Sequence, residues 1–154
     1  MKRVIALFIA IFCTVSYGKE LGTAPVADSA DPEISAILTV HKIDRNRKAT
    51  SNIWRPEKNN VFVSVEITVE NTSATKEFQV KYWGFKLQNK DGNQFDMSVV
   101  SKGIAQPPVI DTTLKKGRKI KGWVSFELPK ELVTVPMFLK YEDKTTSCDI
   151  VEIP

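Results

Sequence analysis

The densest group of reactive side chains is a short basic segment in the last third of the 154-residue chain. Five cations fall within seven residues, and they are Lys115, Lys116, Arg118, Lys119 and Lys121. Clustered positive charge attracts anionic partners, whereas lysines at the edge of a sheet also prevent edge-to-edge pairing. We therefore predict that this segment binds an anionic partner, and a solvated, edge-protecting turn is the alternative. A second basic stretch, with Arg45, Arg47 and Lys48, is expected to assist.

Catalytic chemistry has little support in the sequence. A serine or cysteine nucleophile needs a base or another activating group beside it, and the chain offers His41 as its single histidine. Carboxylates such as Asp143 and Asp149 flank predicted turns, as they do in most proteins. Neither a phosphate-binding glycine loop nor a nucleophile-elbow motif occurs. We therefore predict no catalytic residues and expect that the protein is not an enzyme.

A metal or cofactor site is not predicted either. The side chains that copper prefers, Met97, Met137, His41 and Cys148, are widely separated and lack close motif spacing. Two cysteines and one histidine are too few for the usual four-ligand zinc site. We expect no cofactor and no resident metal.

The N-terminus has the composition of a secretory leader. Lys2 and Arg3 precede ten apolar residues, 4–13, and the small-residue site Ser16-Tyr17-Gly18 follows. A membrane span needs about 20 apolar residues, and this run is shorter. We predict a signal peptide over residues 1–18 and a periplasmic or secreted protein that does not span the membrane. Cys13 offers a site for lipid attachment, but the bulky Phe12 before it disfavours that outcome.

The net charge gives weak grounds for binding nucleic acid. The chain has 22 basic and 18 acidic residues, and loss of Lys2 and Arg3 with the leader would leave 20 − 18 = +2. We expect no nucleic-acid partner, and instead a protein or an anionic component of the cell envelope. The oligomeric state stays open.

Cys148 would be the single cysteine of the mature chain if cleavage falls near Gly18. A buried thiol, a bridge between chains and a reactive nucleophile are the three interpretations. Free cysteine usually packs as a small hydrophobic residue, which favours burial.

The elements that position these residues show a period of two, which is typical of strands with one buried face. The clearest strand places Val61, Val63, Val65, Ile67 and Val69 on one side. Further strands are predicted over 34–43, 78–88, 95–100, 118–128, 137–141 and 148–153, with an Asp91-Gly92 hairpin turn and an irregularity at Gly84. Residues 19–33 are predicted to be a flexible tether, 44–60 a long basic loop, 101–113 a connecting loop, and 129–131 a turn or a single helical turn.

These strands predict an all-β, immunoglobulin-like antiparallel sandwich of about seven strands over residues 34–154. Its predicted core comprises Val61, Val63, Val65, Ile67, Val69, Ile120, Val124 and Phe126. Lys119 and Lys121 alternate with Ile120 and are expected to point outward. A set of aromatic residues, Trp54, Tyr82, Trp83 and Trp123, either covers the edge of the sandwich or forms a stacking surface.

Four sequence runs, at 61–73, 83–95, 114–129 and 137–141, carry a resemblance to a known family. They resemble the extracellular immunoglobulin-like domain of unknown function in small secreted or lipid-anchored bacterial proteins. That family is related in fold to the mycobacterial immunoprotective extracellular antigen. The landmarks are Asn71 after the valine strand, the Asp91-Gly92 turn, Gly117 and Gly122. The departures are the long basic loop between the first two strands and Lys115-Lys116 in a turn that often carries proline.

The resemblance covers about residues 34–153 and implies a fold, but it brings no catalytic residues and no agreed activity. Together with the basic segment, it leads us to expect a non-enzymatic exported envelope protein that acts as a binding or interaction module. The alternative is a structural or accessory spacer domain of the envelope with no dedicated ligand.

Overall fold

The computed structural model describes residues 21–50, 53–98, 100–144, 146–148 and 151–153, without the side chains of residues 101, 102, 146, 148 and 151. The predicted signal peptide, with Cys13, and the side chain of Cys148 therefore lie outside the described part of the chain.

Antiparallel strands dominate the described residues, as the sequence predicts. They are β1 (Gly22–Asp28), β2 (Ser35–Arg47), β3 (Asn60–Asn71), β4 (Phe78–Val80), β5 (Phe85–Asn89), β6 (Gln94–Asp96), β7 (Thr112–Leu114), β8 (Lys119–Pro129), β9 (Met137–Asp143), β10 (Thr146–Cys148) and β11 (Val151–Ile153). Helical structure among these residues is limited to a four-residue helix, α1 (Ser101–Ile104), and two 3-10 turns at Tyr82–Gly84 and Lys130–Leu132. The strands outnumber the predicted seven because β1 and β7 lie in segments that are not predicted as strands, and because the predicted strands 78–88 and 148–153 are each divided in two.

The main sheet has the order β6-β5-β9-β10-β1-β2-β3-β8, with β11 paired to β9, and β4 pairs separately with β7. The longest continuous register joins β3 to β8, from Asn60 opposite Pro129 to Glu70 opposite Lys119. Side chains from β2, β3 and β8 meet those from β5 and β9 in a single hydrophobic core. The predicted immunoglobulin-like sandwich is thereby confirmed.

The predicted core is mostly confirmed. Six of its eight members are buried, namely Val63, Val65, Ile67, Val69, Val124 and Phe126. Val61 and Ile120 are half-buried and pack against its margin. Both lie close to an end of the β3–β8 ladder.

The prediction of a flexible tether over 19–33 is wrong for residues 22–28. Residues 22–28 form β1, which pairs with β2 along one side and with β10 along the other. Ala24 and Val26 are only 3% and 2% exposed, so β1 contributes two side chains to the core. The sequence does not predict this strand, because its apolar alternation is short and its apolar side chains are small. The segment around it is also rich in Gly, Ala, Asp and Pro. The domain therefore begins before residue 34.

Several predicted element bounds also need correction. The strand predicted over 78–88 is divided at Tyr82–Gly84, where a Cβ on residue 84 would approach the Tyr141 ring to 2.8 Å. The hairpin at Asp91-Gly92 forms as predicted, with Gly92 at φ 85°, but its return strand ends at Asp96. Asn89 fixes this turn, because its side-chain oxygen accepts hydrogen bonds from the N–H groups of Asp91 and Asn93.

The predicted loop over 44–60 begins only after Arg47, since β2 continues to that residue. The connection predicted over 101–113 carries α1 and runs along the outer edge of β8. There, Trp123 N–H donates to Pro107 O at 2.9 Å, and Val109 N–H donates to Trp123 O at 2.9 Å. Gly122 permits this close approach, because a Cβ would lie 2.9 Å from Pro107 O. The strand predicted over 148–153 is divided between β10 and β11.

Candidate functional site

The five predicted cations occupy the turn between β7 and β8 and the first residues of β8. We call the segment Lys115–Lys121 the basic turn. Gly117 has a φ of 67°, a conformation that glycine adopts without strain. Arg118 N–H donates to Lys115 O at 2.9 Å, which closes the turn.

Asn71 anchors the basic turn from beneath. It is fully buried at the end of β3, and its main-chain groups bond to both Arg118 O and Gly117 N–H. Its side-chain N–H2 group donates to Leu114 O at 2.7 Å and to Lys76 O at 2.9 Å. The sequence marks Asn71 as a turn residue but does not identify it as the support of the basic turn. Because every polar group of its side chain is used, we infer that Asn71 holds the turn in one conformation.

All five cations of the basic turn are exposed. Among the described residues, Lys121 is the one of the five that forms an ion pair, since its Nζ lies 3.6 Å from Glu66 Oε2. Lys42 Nζ lies at the same distance from that oxygen, so a single carboxylate on β3 serves cations on both neighbouring strands. Within the described part of the chain, the other four cations have no acidic partner within salt-bridge distance. Their charge is therefore directed to solvent.

The second basic stretch does not join the basic turn. Arg47 lies opposite Phe62 of β3 and Lys119 opposite Glu70, and eight strand residues correspond to roughly 25 Å. Arg45 is partly buried and donates to the carbonyl oxygens of Val133 and Val135. Burial lowers the pKa of Arg45 from its ordinary value. The structure therefore does not place this stretch beside the basic turn, and Arg45 has a structural role.

The aromatic set is dispersed. Trp123 is only 7% exposed, and its ring is covered by Lys42 Nζ at 5.3 Å and by Arg47 Cζ at 5.1 Å. It therefore covers the sheet rather than forming an open stacking surface. Trp83 is 51% exposed beside Tyr82 and Lys81, and Trp54 is 42% exposed on the loop between β2 and β3.

His41 is a half-buried strand residue whose Nε2 is 2.8 Å from Thr68 Oγ1. Among the described residues, no three carboxylate, histidine or cysteine side chains lie together in a group that could hold a metal ion.

The family follows from residues 34–148, which match the profile of a domain of unknown function, DUF4352. The chain belongs to the DUF4352 family. The profile starts close to the first residue of β2 and ends at the last residue of β10, so it spans both halves of the core. No curated protein matches the chain.

Solved structures share the fold of this DUF4352 domain. The secreted protein MPT63 from Mycobacterium tuberculosis has 14% identity and a TM-score of 0.51, over 89% of this chain and 94% of that one. The yjhA protein from Bacillus subtilis has 22% identity and a TM-score of 0.52, over 80% and 79%. The ycdA protein, a candidate lipoprotein of Bacillus subtilis, has 16% identity and a TM-score of 0.56, over 83% of this chain but only 38% of its own.

Among the described residues of the DUF4352 protein, no helix has the length and apolar character that crossing a membrane requires.

Proposed function

We propose that this protein is exported and acts in the cell envelope as a non-enzymatic binding module whose basic turn holds an anionic envelope polymer. The observation that carries the proposal is the arrangement of Lys115, Lys116, Arg118 and Lys119. These four cations are exposed, have no acidic partner within salt-bridge distance among the described residues, and sit on a turn that buried Asn71 supports.

A pre-organised turn suits this role, because little conformational freedom is lost when a partner binds. Four cations within five residues concentrate the positive potential although the mature chain would carry only +2. A polymer with repeated anionic groups can contact several of these cations at once, which multiplies individually weak contacts.

Export is supported by the leader-like composition of residues 1–18 and by the solved structures that share this fold. One protein of similar structure is secreted and another is a candidate lipoprotein.

A non-enzymatic role is supported by the contacts of two side chains that could act as a catalytic base. His41 is hydrogen-bonded to Thr68, and Glu66 is held between two lysines, so each has a structural contact.

The experiment is retention of the purified protein on the anionic polysaccharide of its own envelope, over a series of salt concentrations. We expect retention at low salt and release as salt rises, because exposed charges are screened over about 8–10 Å at physiological ionic strength. The triple variant Lys115→Glu, Lys116→Glu, Lys119→Glu should not be retained. If the variant and the wild type elute together, the basic turn serves solubility, and the spacer role takes the place of this proposal.

A further inference from the structure

The long loop between β2 and β3 borders an open pocket of about 280 Å³ at the end of the sheet opposite to the basic turn. Its wall includes Arg47, Lys48, Trp54, Arg55, Pro56 and Phe62.

The charge of the pocket is positive. Lys48 and Arg55 are exposed, and neither has an acidic partner within salt-bridge distance among the described residues. Arg47 lies 3.3 Å from Asp44 and above the Trp123 ring at 5.1 Å, so its guanidinium is held in place. No aspartate or glutamate contributes to the pocket wall among these residues. Arginine and lysine in this arrangement are suited to carboxylate and phosphate groups.

The aromatic part of the wall packs against α1. Trp54 packs against Gly103 of α1. A Cβ added at residue 103 would lie 2.6 Å from the indole Cδ1 and Nε1 atoms. The loop is tied to the same residue, because Thr50 N–H and Thr50 Oγ1 both donate to Gly103 O, at 3.1 and 2.6 Å. Phe62, only 2% exposed, lies below. The 42% of Trp54 that remains exposed is therefore presented by a fixed support.

We propose that this pocket binds a sugar residue that carries a phosphate or a carboxylate. The anionic group lies among Lys48, Arg55 and Arg47, and the apolar face of the sugar ring packs against Trp54. A small pocket with an apolar wall and a few convergent polar groups is the usual form of a ligand site. Its volume of about 280 Å³ can accommodate one sugar residue. This site is independent of the basic turn, from which it is separated by roughly 25 Å along β3.

The proposal is tested by following the indole N–H signals of the three tryptophans by NMR while small ligands are added. The probes are glucose 6-phosphate and glucuronate, which carry both ring and anion, and glucose and inorganic phosphate, which carry one each. Uridine monophosphate tests a nucleotide instead. We expect a saturable shift of the Trp54 signal, assigned with Trp54→Phe, for the first two probes only. If inorganic phosphate or the nucleotide binds as tightly as glucose 6-phosphate, the proposed ligand class is wrong.

Variants locate the binding. Lys48→Ala and Arg55→Ala, both at exposed positions, should each weaken binding of glucose 6-phosphate by about tenfold, since each removes a charge-assisted contact. Lys130→Ala, at an exposed position outside the pocket, is the matched control and should bind as the wild type does. The triple variant of the basic turn should also bind normally. Loss of binding in that triple variant, or normal binding in both pocket variants, would overturn the pocket while leaving the proposal for the basic turn to its own test.

Discussion

Trp54 and Gly103 are in direct contact, and the contact leaves no room for a side chain on residue 103. A Cβ there would lie 2.6 Å from two atoms of the indole ring, well inside ordinary van der Waals distance. Two residues that are 49 positions apart in the sequence thus fix the loop between β2 and β3 on α1. The glycine is required for this close approach, and the tryptophan is held by it.

Gly103→Ala is therefore expected to displace the indole of Trp54 and to leave the sandwich folded, because α1 lies outside the main core cluster. The measurement is acrylamide quenching together with the tryptophan indole N–H spectrum. The Trp54 signal should shift and its quenching should increase, whereas Trp83 and Trp123 serve as internal controls. An unchanged Trp54 signal would show that the contact is absent in solution.

Asn71→Ala should destabilise the fold strongly, because it leaves Leu114 O and Lys76 O without their donor and Ser73 N–H without its acceptor. The bonds to Leu114 O and from Ser73 N–H are buried, and each buried unsatisfied group costs about 1–3 kcal/mol, so we expect a loss of at least about 2 kcal/mol in the free energy of unfolding. Urea denaturation measures it. The control Asn93→Ala changes an exposed turn asparagine and should stay within about 0.5 kcal/mol of the wild type. Equal stability of the two variants would contradict the anchoring role of Asn71.

Arg45→Met should also be destabilising, because the carbonyl oxygens of Val133 and Val135 lose their donor while the apolar part of the side chain is retained. We expect a loss of about 1–3 kcal/mol, again measured by urea denaturation. Arg55→Met is the matched control, since Arg55 is exposed and should change stability by less than about 0.5 kcal/mol. The interpretation of Arg45 as structural fails if both variants unfold at the same urea concentration.

Glu66→Gln should strengthen the binding of an anionic polymer at the basic turn. The substitution removes the negative charge that lies 3.6 Å from Lys121 Nζ, so the positive potential of the turn increases. Retention on an anionic resin should therefore persist to a higher salt concentration. Glu142→Gln changes the net charge equally but lies beside Lys140 on β9, and it should have a smaller effect. If the two variants are retained alike, only net charge matters.

The sequence predicts the parts of the fold in which hydrophobic alternation is long and regular. β3 and β8 are recognisable because their apolar residues recur at every second position, and burial in the sandwich core explains that pattern. The sequence does not predict β1, because its apolar alternation is limited to Ala24 and Val26. The sequence predicts an irregularity at Gly84, but the contact with the Tyr141 ring at that position depends on a residue that is distant in sequence.

The candidate sites also include features that the local sequence predicts and features that depend on residues distant in sequence. The sequence predicts the basic turn because its cations are clustered, and the exposure of Lys119 and Lys121 follows from their alternation with Ile120. The sequence does not predict that Arg45 binds main-chain oxygens whereas Arg47 lies over the Trp123 ring. These contacts depend on which long-range partners surround each guanidinium. The support of Trp54 by Gly103 likewise depends on a tertiary contact without local sequence signal.

The most direct test of the central claim compares two triple variants that change the net charge by the same amount. One is Lys115→Glu, Lys116→Glu, Lys119→Glu in the basic turn, and the other is Lys90→Glu, Lys130→Glu, Lys144→Glu at exposed positions elsewhere. The measurement is the dissociation constant for the anionic envelope polysaccharide at low salt, with circular dichroism to confirm that both variants are folded. We predict that the first variant loses binding and that the second keeps most of it. Equal weakening of the two, or unchanged binding in the first, would contradict a binding role for the basic turn.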